Sequence, residues 1–407
     1  MGLHRFRPMP SGRMGALWTL STIKNATLIE FGSMGHMLYG KTFLERIGVH
    51  DGCKLYSTHI DESDIALGGT ERLKQAIDEI IINDNPEVIF ILPSTVPEMI
   101  GTDLKALCED MQNDYIETPI IPVGFGGFDV EKHKGVEQTL KLLVKELPEE
   151  CSLTANKTFN IIGSCADIYR FKSDADEIVR ILKGAFGIDP VCIMTSDTSV
   201  GEIKKMASAH INLVIRREGI EAAKYLEKRF GTEFIHERPY GFSGTKAWLE
   251  KISEILNLKI DEDFMEKEFK GFDHTLKFSK QVFLNQSEKA RLSIGGHADV
   301  VKGILNYAYN ELGVNSEKSW CDSMTMTTEK IPYWGEDKWS KEITKELKGL
   351  LMASDEILTW ANHSLSMQID NKGSRWELNP YEPPFVGFRG AMNLASLWVN
   401  YVLENNN

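Results

Sequence analysis

The chain reads as an α/β protein built from parallel sheets covered by helices, on three grounds. Apolar runs of strand length alternate with amphipathic stretches of helical period through most of the sequence. The β-α-β pattern recurs three times. At 407 residues the chain exceeds one ordinary domain, and 42% hydrophobic with 26% charged residues is the composition of a folded protein able to bury a sizeable core.

In the first block, 1–155, Ala26 to Phe31, Val88 to Leu92 and Ile120 to Val123 read as buried strands, with helical period over Thr70 to Ile82 and Gly101 to Gln112. Leu-Pro-Glu-Glu near Glu150 interrupts the pattern. The second block, 156–270, runs through Phe159 to Gly163, Val191 to Met194 and Ile211 to Ile215, with helices at about Asp174 to Phe186 and Gly219 to Phe230. The charged stretch Lys259 to Lys270 reads as a solvated helix or linker. The third block, 271–407, opens at Arg291 to Gly296, continues into a helix from Ala298 to Leu312, and closes with a packed amphipathic helix, Gly387 to Val402.

A net charge of −13 opposes binding to nucleic acid or to an anionic membrane, so proteins and small molecules are the expected partners. No apolar stretch is long enough to span a bilayer, and Met1 to Arg13 lacks the apolar core of a signal peptide, which points to the cytoplasm. The six cysteines, Cys53, Cys108, Cys151, Cys165, Cys192 and Cys321, form neither a C-x-x-C pair nor a framework. Taken singly, each reads as a small buried hydrophobe.

Ligands of parallel α/β sheets lie outside the carboxyl ends of the strands, so the turns after the apolar runs are the first suspects. They are Gly32-Ser33-Met34-Gly35-His36, Pro93 to Pro97, Gly163-Ser164-Cys165, Thr195-Ser196-Asp197 and Gly295-Gly296-His297. Glycine and serine also serve as plain turn and cap residues, but five such turns together favour a cleft. A phosphate-binding loop is missing, since Gly241 to Lys246 has the wrong spacing, and no dinucleotide fingerprint follows the first strand. The chain is therefore expected to bind no nucleotide. The serine-hydrolase and zinc-protease signatures are missing too.

Pro10-Ser11-Gly12-Arg13-Met14-Gly15-Ala16-Leu17, followed by Leu28 to His36, is similar to the opening of nitrogenase component 1 subunits, where a Gly-Ala helix leads to a strand and a Gly-Ser-x-Gly-Cys turn. Ser57 to Glu62 with Gly68 to Glu71 resembles that family's Ser-Thr run before a Gly-Gly turn. Ser94 to Leu104 resembles its Ser-Thr-Cys-x-x-x-Ile-Gly-Asp-Asp-Leu segment. Asn160 to Gly163, Tyr240-Gly241 and Val386 to Leu394 follow the family as well, so the resemblance covers nearly the whole chain. It implies three Rossmann-like domains around a shallow central cleft. It also implies pairing with a sister subunit or a second copy, and electrons delivered by an ATP-dependent iron protein.

The chain departs from the family where three cysteines ligate an iron–sulfur cluster, a task for which thiolates are suited. Those places carry Ser11, His36 and Thr95 or Val96. The places that match the large-cofactor ligands of nitrogenase carry about Ile215 and Val386, which argues against a nitrogenase catalytic subunit of the usual kind. Three explanations remain open: a β-type subunit to which a sister supplies most ligands of a shared cluster, with His36 or Ser11 adding the last; a cofactor-assembly scaffold; and a metal-free binding or regulatory module.

The expected function is that of an oxidoreductase subunit acting on a small molecule. Cofactor-binding candidates are Ser11, Gly32, Ser33, Gly35, His36, Thr95 and Cys165, and the metal candidate is His36. His297 with Asp299 and His363 with Asn362 are candidates to supply protons to a substrate, as is usual for cleft histidines beside polar partners. Asp299 also suits the start of its helix. Cys165 with Asp167 is a further pair. Arg216-Arg217 could hold an anion but fits structural ion pairs as well, and Trp18, Trp334, Trp339 and Trp376 read as packing or interface residues.

Overall fold

Strands of a parallel sheet are covered on both faces, so they are apolar at every position, and the strand Val88–Pro93 is buried throughout. A computed structural model describes residues 10–32, 34–49, 52–61, 64, 70–124, 131–344, 347–361, 366–370 and 383–404, with only the backbone described at 34–36.

The main strands form three four-stranded sheets. The first holds β1 (Ala26–Phe31), β2 (Lys54–Ser57), β3 (Val88–Pro93) and β4 (Ile120–Pro122) in the order β2-β1-β3-β4. The second holds β5 (Thr158–Ser164), β6 (Asp189–Thr195), β7 (Ile211–Val214) and β8 (Phe234–His236) in the order β6-β5-β7-β8. The third holds β9 (Arg291–Gly296), β10 (Asn315–Cys321), β11 (Leu350–Ser354) and β12 (Ser366–Asp370) in the order β10-β9-β11-β12. Every pairing within them is parallel, with Leu28 opposite Phe90, Ile161 opposite Leu213 and Ile294 opposite Met352. In each sheet the chain winds outward one way from its first strand and then the other, which opens a crevice at the carboxyl ends beside that strand. A short parallel pair, Ile23–Lys24 with Thr198–Ser199, ties the first sheet's segment to the second's.

Two helices cross almost backbone to backbone and thereby aim the later site. The helix Gly12–Leu20 packs on the helix Lys132–Glu146, and a Cβ on Gly135 would lie 1.9 Å from the Gly12 carbonyl oxygen. A Cβ on Gly15 would lie 2.2 Å from the Lys132 carbonyl oxygen, so only glycine at both places lets the first turn carrying Lys132 and His133 come so far inward.

Two helices differ from the sequence pattern. The helix expected from Gly101 begins only at Leu104, as Leu104–Gln112, with a separate short helix, Thr95–Met99, before it, because Gly101 takes a left-handed conformation and the Asp103 carboxylate accepts the Ala106 N–H at 3.0 Å, capping the start. The charged stretch from Lys259 opens a 24-residue helix, Glu262–Asn285, capped by Asp261 and anchored by buried Phe272, Val282 and Phe283. The closing helix is Gly387–Glu404. Among the described residues no helix is long and apolar enough to cross a membrane. Trp18 packs on Phe43 and Trp334 stacks on Trp320, with Trp339 in the same cluster, while Trp376 lies outside the described residues.

Candidate functional site

Charged side chains from all three sheets meet in the interior. Arg216 and Glu218 follow β7, Asp167 follows β5, His297 and Asp322 follow β9 and β10, Asp370 ends β12, and Lys132 and His133 come from the helix turn set by the glycine crossing. Room for Arg216 is made by Gly163, whose φ is 103° and where a Cβ would lie 2.5 Å from Arg216 Cγ.

The fully buried Arg216 guanidinium donates to Asp167 Oδ1 and Oδ2 at 2.6 and 3.1 Å and to Glu218 Oε1 and Oε2 at 2.7 and 3.0 Å. His133 lies between two carboxylates, with Nδ1 2.9 Å from Glu218 Oε1 and Nε2 3.1 Å from Asp322 Oδ1. His297 Nδ1 accepts the Asp299 N–H at 3.2 Å, which leaves the proton on Nε2, and Nε2 donates to Glu218 at 3.0 Å. The Lys132 ammonium lies 3.5 Å from Asp167, 3.7 Å from Asp370 and 4.0 Å from Asp322.

Burial alone would strip the proton from His133, but the carboxylates of Asp322 and Glu218 outweigh it and raise its pKa to about 9. At neutral pH it is an imidazolium that donates from both nitrogens. Burial alone would likewise protonate Glu218, yet Arg216, His297 and His133 hold it well below the carboxylate range. Asp167 is lowered against its burial by Arg216 and Lys132. The cluster thus holds a proton on His133 between two carboxylates. It floors an open groove of about 750 Å³, lined by Glu131, His133, Arg217, Glu218, Met324 and Met326 among others.

The expected pairs separate here. Cys165 and Asp167 follow the same strand, but the Asp167 carboxylate serves Arg216, and burial pushes the Cys165 thiol up to about 11, beside Thr195. His297, not Asp299, caps the helix Ala298–Tyr307; the Asp299 carboxylate instead accepts from Arg217 at 2.7 Å and faces His236 at 3.5 Å. Both arginines are engaged by carboxylates of the chain itself. Ile215 and Val386 are packed in the apolar core. His363 and Asn362 lie outside the described residues.

The other candidates gather at the carboxyl edge of the first sheet. Gly32 lies so close to Ser94 that a Cβ would sit 1.8 Å from its Oγ. Thr95 opens the next helix, where its hydroxyl accepts from Arg13 at 3.1 Å while Arg13 also pairs with Glu98 at 3.2 Å. Ser11 precedes the Arg13 helix and bridges to Glu131, whose carboxylate accepts from Ser323 at 2.6 Å and lines the groove. The backbone bridge between Ser11 and Glu131 thus joins the edge to one wall of the groove. Gly35 and His36 are in the helix Met34–Arg46, their side chains outside the description, and Ser33 lies outside the described residues altogether. Burial raises Glu30, at the end of β1, to about 7, against opposing effects of Arg13 and the Met37 N–H.

An iron–sulfur cluster needs soft thiolate donors. At this edge Ser11 and Thr95 offer hydroxyls, and Cys165 is a buried protonated thiol on the second sheet. Among the described residues the group of three donors that could hold an ion is His133, Glu218 and His297, with no cysteine. The described donors of this chain alone do not fit such a cluster.

His133, Glu218, Asp322, Lys132 and Asp370 were not legible as site residues. Glu218, Asp322 and Asp370 do end or follow strands, the signal that marked His297, but Asp322 and Asp370 have no glycine directly beside them and Glu218 has only Gly219 after it, not the glycine pair that precedes His297. Glu131 to Lys134 looks like a solvated helix start.

Residues 11–403 match the family described as nitrogenase component 1 type oxidoreductase. The nitrogenase iron-molybdenum cofactor biosynthesis protein NifE of Clostridium pasteurianum is 29% identical over 294 residues, 71% of this chain and 60% of that protein. One subunit of the light-independent protochlorophyllide reductase of Nostoc punctiforme is 23% identical over 317 residues, 74% of this chain and 62% of its own length. The matched part thus spans about three-fifths of either relative. The solved structure titled "Nitrogenase Cp1 at pH 6.5" superposes with a TM-score of 0.80 at 18% identity, covering 99% of this chain and 94% of that one, which is a likeness of fold. With the match extending across all three sheets, the chain belongs to the nitrogenase component 1 type oxidoreductases.

Proposed function

We propose that this chain is one subunit of a cytoplasmic, nitrogenase-like two-component oxidoreductase, divided into α/β domains at about 155 and 270, that receives low-potential electrons from an ATP-dependent iron protein. An iron–sulfur cluster is shared at the edge formed by Ser11, Gly32 and Thr95, and a partner, a sister subunit or a second copy, brings the thiolates. This chain adds at most a minor ligand, from His36 or Ser11.

The observation that carries the reading is the backbone bridge by which Ser11 of that edge meets Glu131, a wall of the groove that protonated His133 also lines. A reductase must bring protons as well as electrons to a bond it saturates, whereas a scaffold that only holds a precursor needs no acid. Within the groove His133 holds the proton, the carboxylates of Glu218 and Asp322 orient it, and His297 directs its own N–H at Glu218. The edge also has the exposed apolar surface a partner would cover: Leu38, Tyr39 and Met99 are on the two helices that open there, and Ile100 directly follows the second. The likeness to a cofactor biosynthesis protein favours the scaffold as the second reading.

Anaerobic purification of the chain alone and together with the products of neighbouring genes, followed by iron and sulfide analysis, tests the proposal. Iron and sulfide only in a complex with a cysteine-bearing partner are expected. A pure, metal-free chain with no such partner overturns it.

A further inference from the structure

The imidazole pair has a second capacity that does not depend on a cluster at the edge. Glu218 Oε1 lies 2.9 Å from His133 Nδ1 and 3.0 Å from His297 Nε2. Donor atoms that share one divalent ion at bonds of about 2.1 Å stand roughly 3 Å apart, so the spacing is already that of a ligand set. All three donor atoms lie within 4.8 Å of one another, and the two rings meet edge to face at 5.2 Å.

We propose that His133, Glu218 and His297 form a binding site for one divalent transition-metal ion at the floor of the groove. Two imidazoles and a carboxylate are borderline donors, which suit iron(II), cobalt(II) or zinc rather than magnesium or calcium. The ion takes the place of the proton on His133 Nδ1, which leaves to solvent, so binding adds one net positive charge beside the carboxylates of Glu218 and Asp322.

The surroundings act as a second layer. Asp322 on His133 Nε2 forms the carboxylate–histidine arrangement that holds a ligand ring in place, and Arg216, donating to Glu218 Oε1 at 2.7 Å and to Oε2 at 3.0 Å, fixes the orientation of that carboxylate. Binding through His297 Nε2 moves that ring's proton to Nδ1 and gives up the Asp299 N–H contact, so the site binds less tightly than a closed structural one. His133 and Glu218 also line the groove, which leaves the ion's remaining positions open to water or a small ligand.

The probe is cobalt(II), added without oxygen to the chelator-treated full chain carrying Cys151→Ser, which removes the exposed thiol. Equilibrium dialysis should give one equivalent bound, with a visible ligand-field band typical of nitrogen and oxygen donors. His297→Gln should lose that band, and Asp322→Asn, which leaves the ligands in place, should weaken binding roughly 10- to 100-fold. Circular dichroism separates a lost site from a lost fold, and Asp322→Asn serves as the readout if His297→Gln unfolds. Substoichiometric binding by the parent chain, or binding unchanged in both variants, overturns the proposal.

Discussion

Replacing Arg216 by methionine removes the one group that binds two buried carboxylates at once. Its guanidinium makes four hydrogen bonds of 2.6 to 3.1 Å to Asp167 and Glu218, and it has no exposed surface. Breaking a buried pair from one side leaves an uncompensated charge and costs about 3–5 kcal/mol. Asp167 keeps Lys132 at 3.5 Å and Glu218 keeps both histidines, so the lower end, about 3 kcal/mol, applies. For 407 residues, with an unfolding entropy of about 2.1 cal/mol/K per residue, that corresponds to a fall in Tm of roughly 3–4 °C. Differential scanning calorimetry at pH 7 measures it. Adding Asp167→Asn removes one stranded charge and should recover part of the loss, because the two changes share a contact. A fall under about 2 °C, or a double variant less stable than the sum of the single changes, would refute the view that this cluster is a tightly coupled charge network.

Other outcomes follow from the same geometry. Glu30, raised from 4.5 to about 7 by burial, gives its full stabilisation below pH 4.5 and loses it as pH rises through 7. Glu30→Gln should therefore gain up to about 3 kcal/mol over the parent chain at pH 8 and under about 1 kcal/mol at pH 5 in urea melts; equal gains at both pH values would contradict the assignment. Gly135→Ala places a methyl group against the Gly12 carbonyl and should destabilise by about 1–3 kcal/mol, whereas Gly187→Ala, with open space around it, should lose only the cost of its left-handed backbone. Five of the six cysteines are buried, so a chromogenic disulfide should titrate Cys151 alone in the native chain and all six after denaturation.

The strands were the most legible part, because a run such as Val88 to Leu92 has no polar face to confuse it with a surface helix. Helix ends were less so: Gly101 and Asp103 move the start of the helix expected from Gly101 to Leu104 by backbone conformation and capping, which an apolar pattern does not register. In the site, His297, Asp167 and Arg216 stood out by following strands. Their partners did not, since His133 meets Asp322 across 189 residues, and only the glycine crossing turns that helix start inward. Asp299 shows the same limit, its position at a helix start suggesting a cap while Arg217 claims its carboxylate.

The measurement that bears most directly on the central claim is electron paramagnetic resonance of the dithionite-reduced complex, purified without oxygen, for the parent chain and for His36→Ala and Ser11→Ala variants. The account predicts a cluster signal that requires the partner and changes shape or potential in at least one variant. A signal carried by the partner alone and unaltered in both, or no signal in any preparation, would contradict a cluster shared at the Ser11–Thr95 edge.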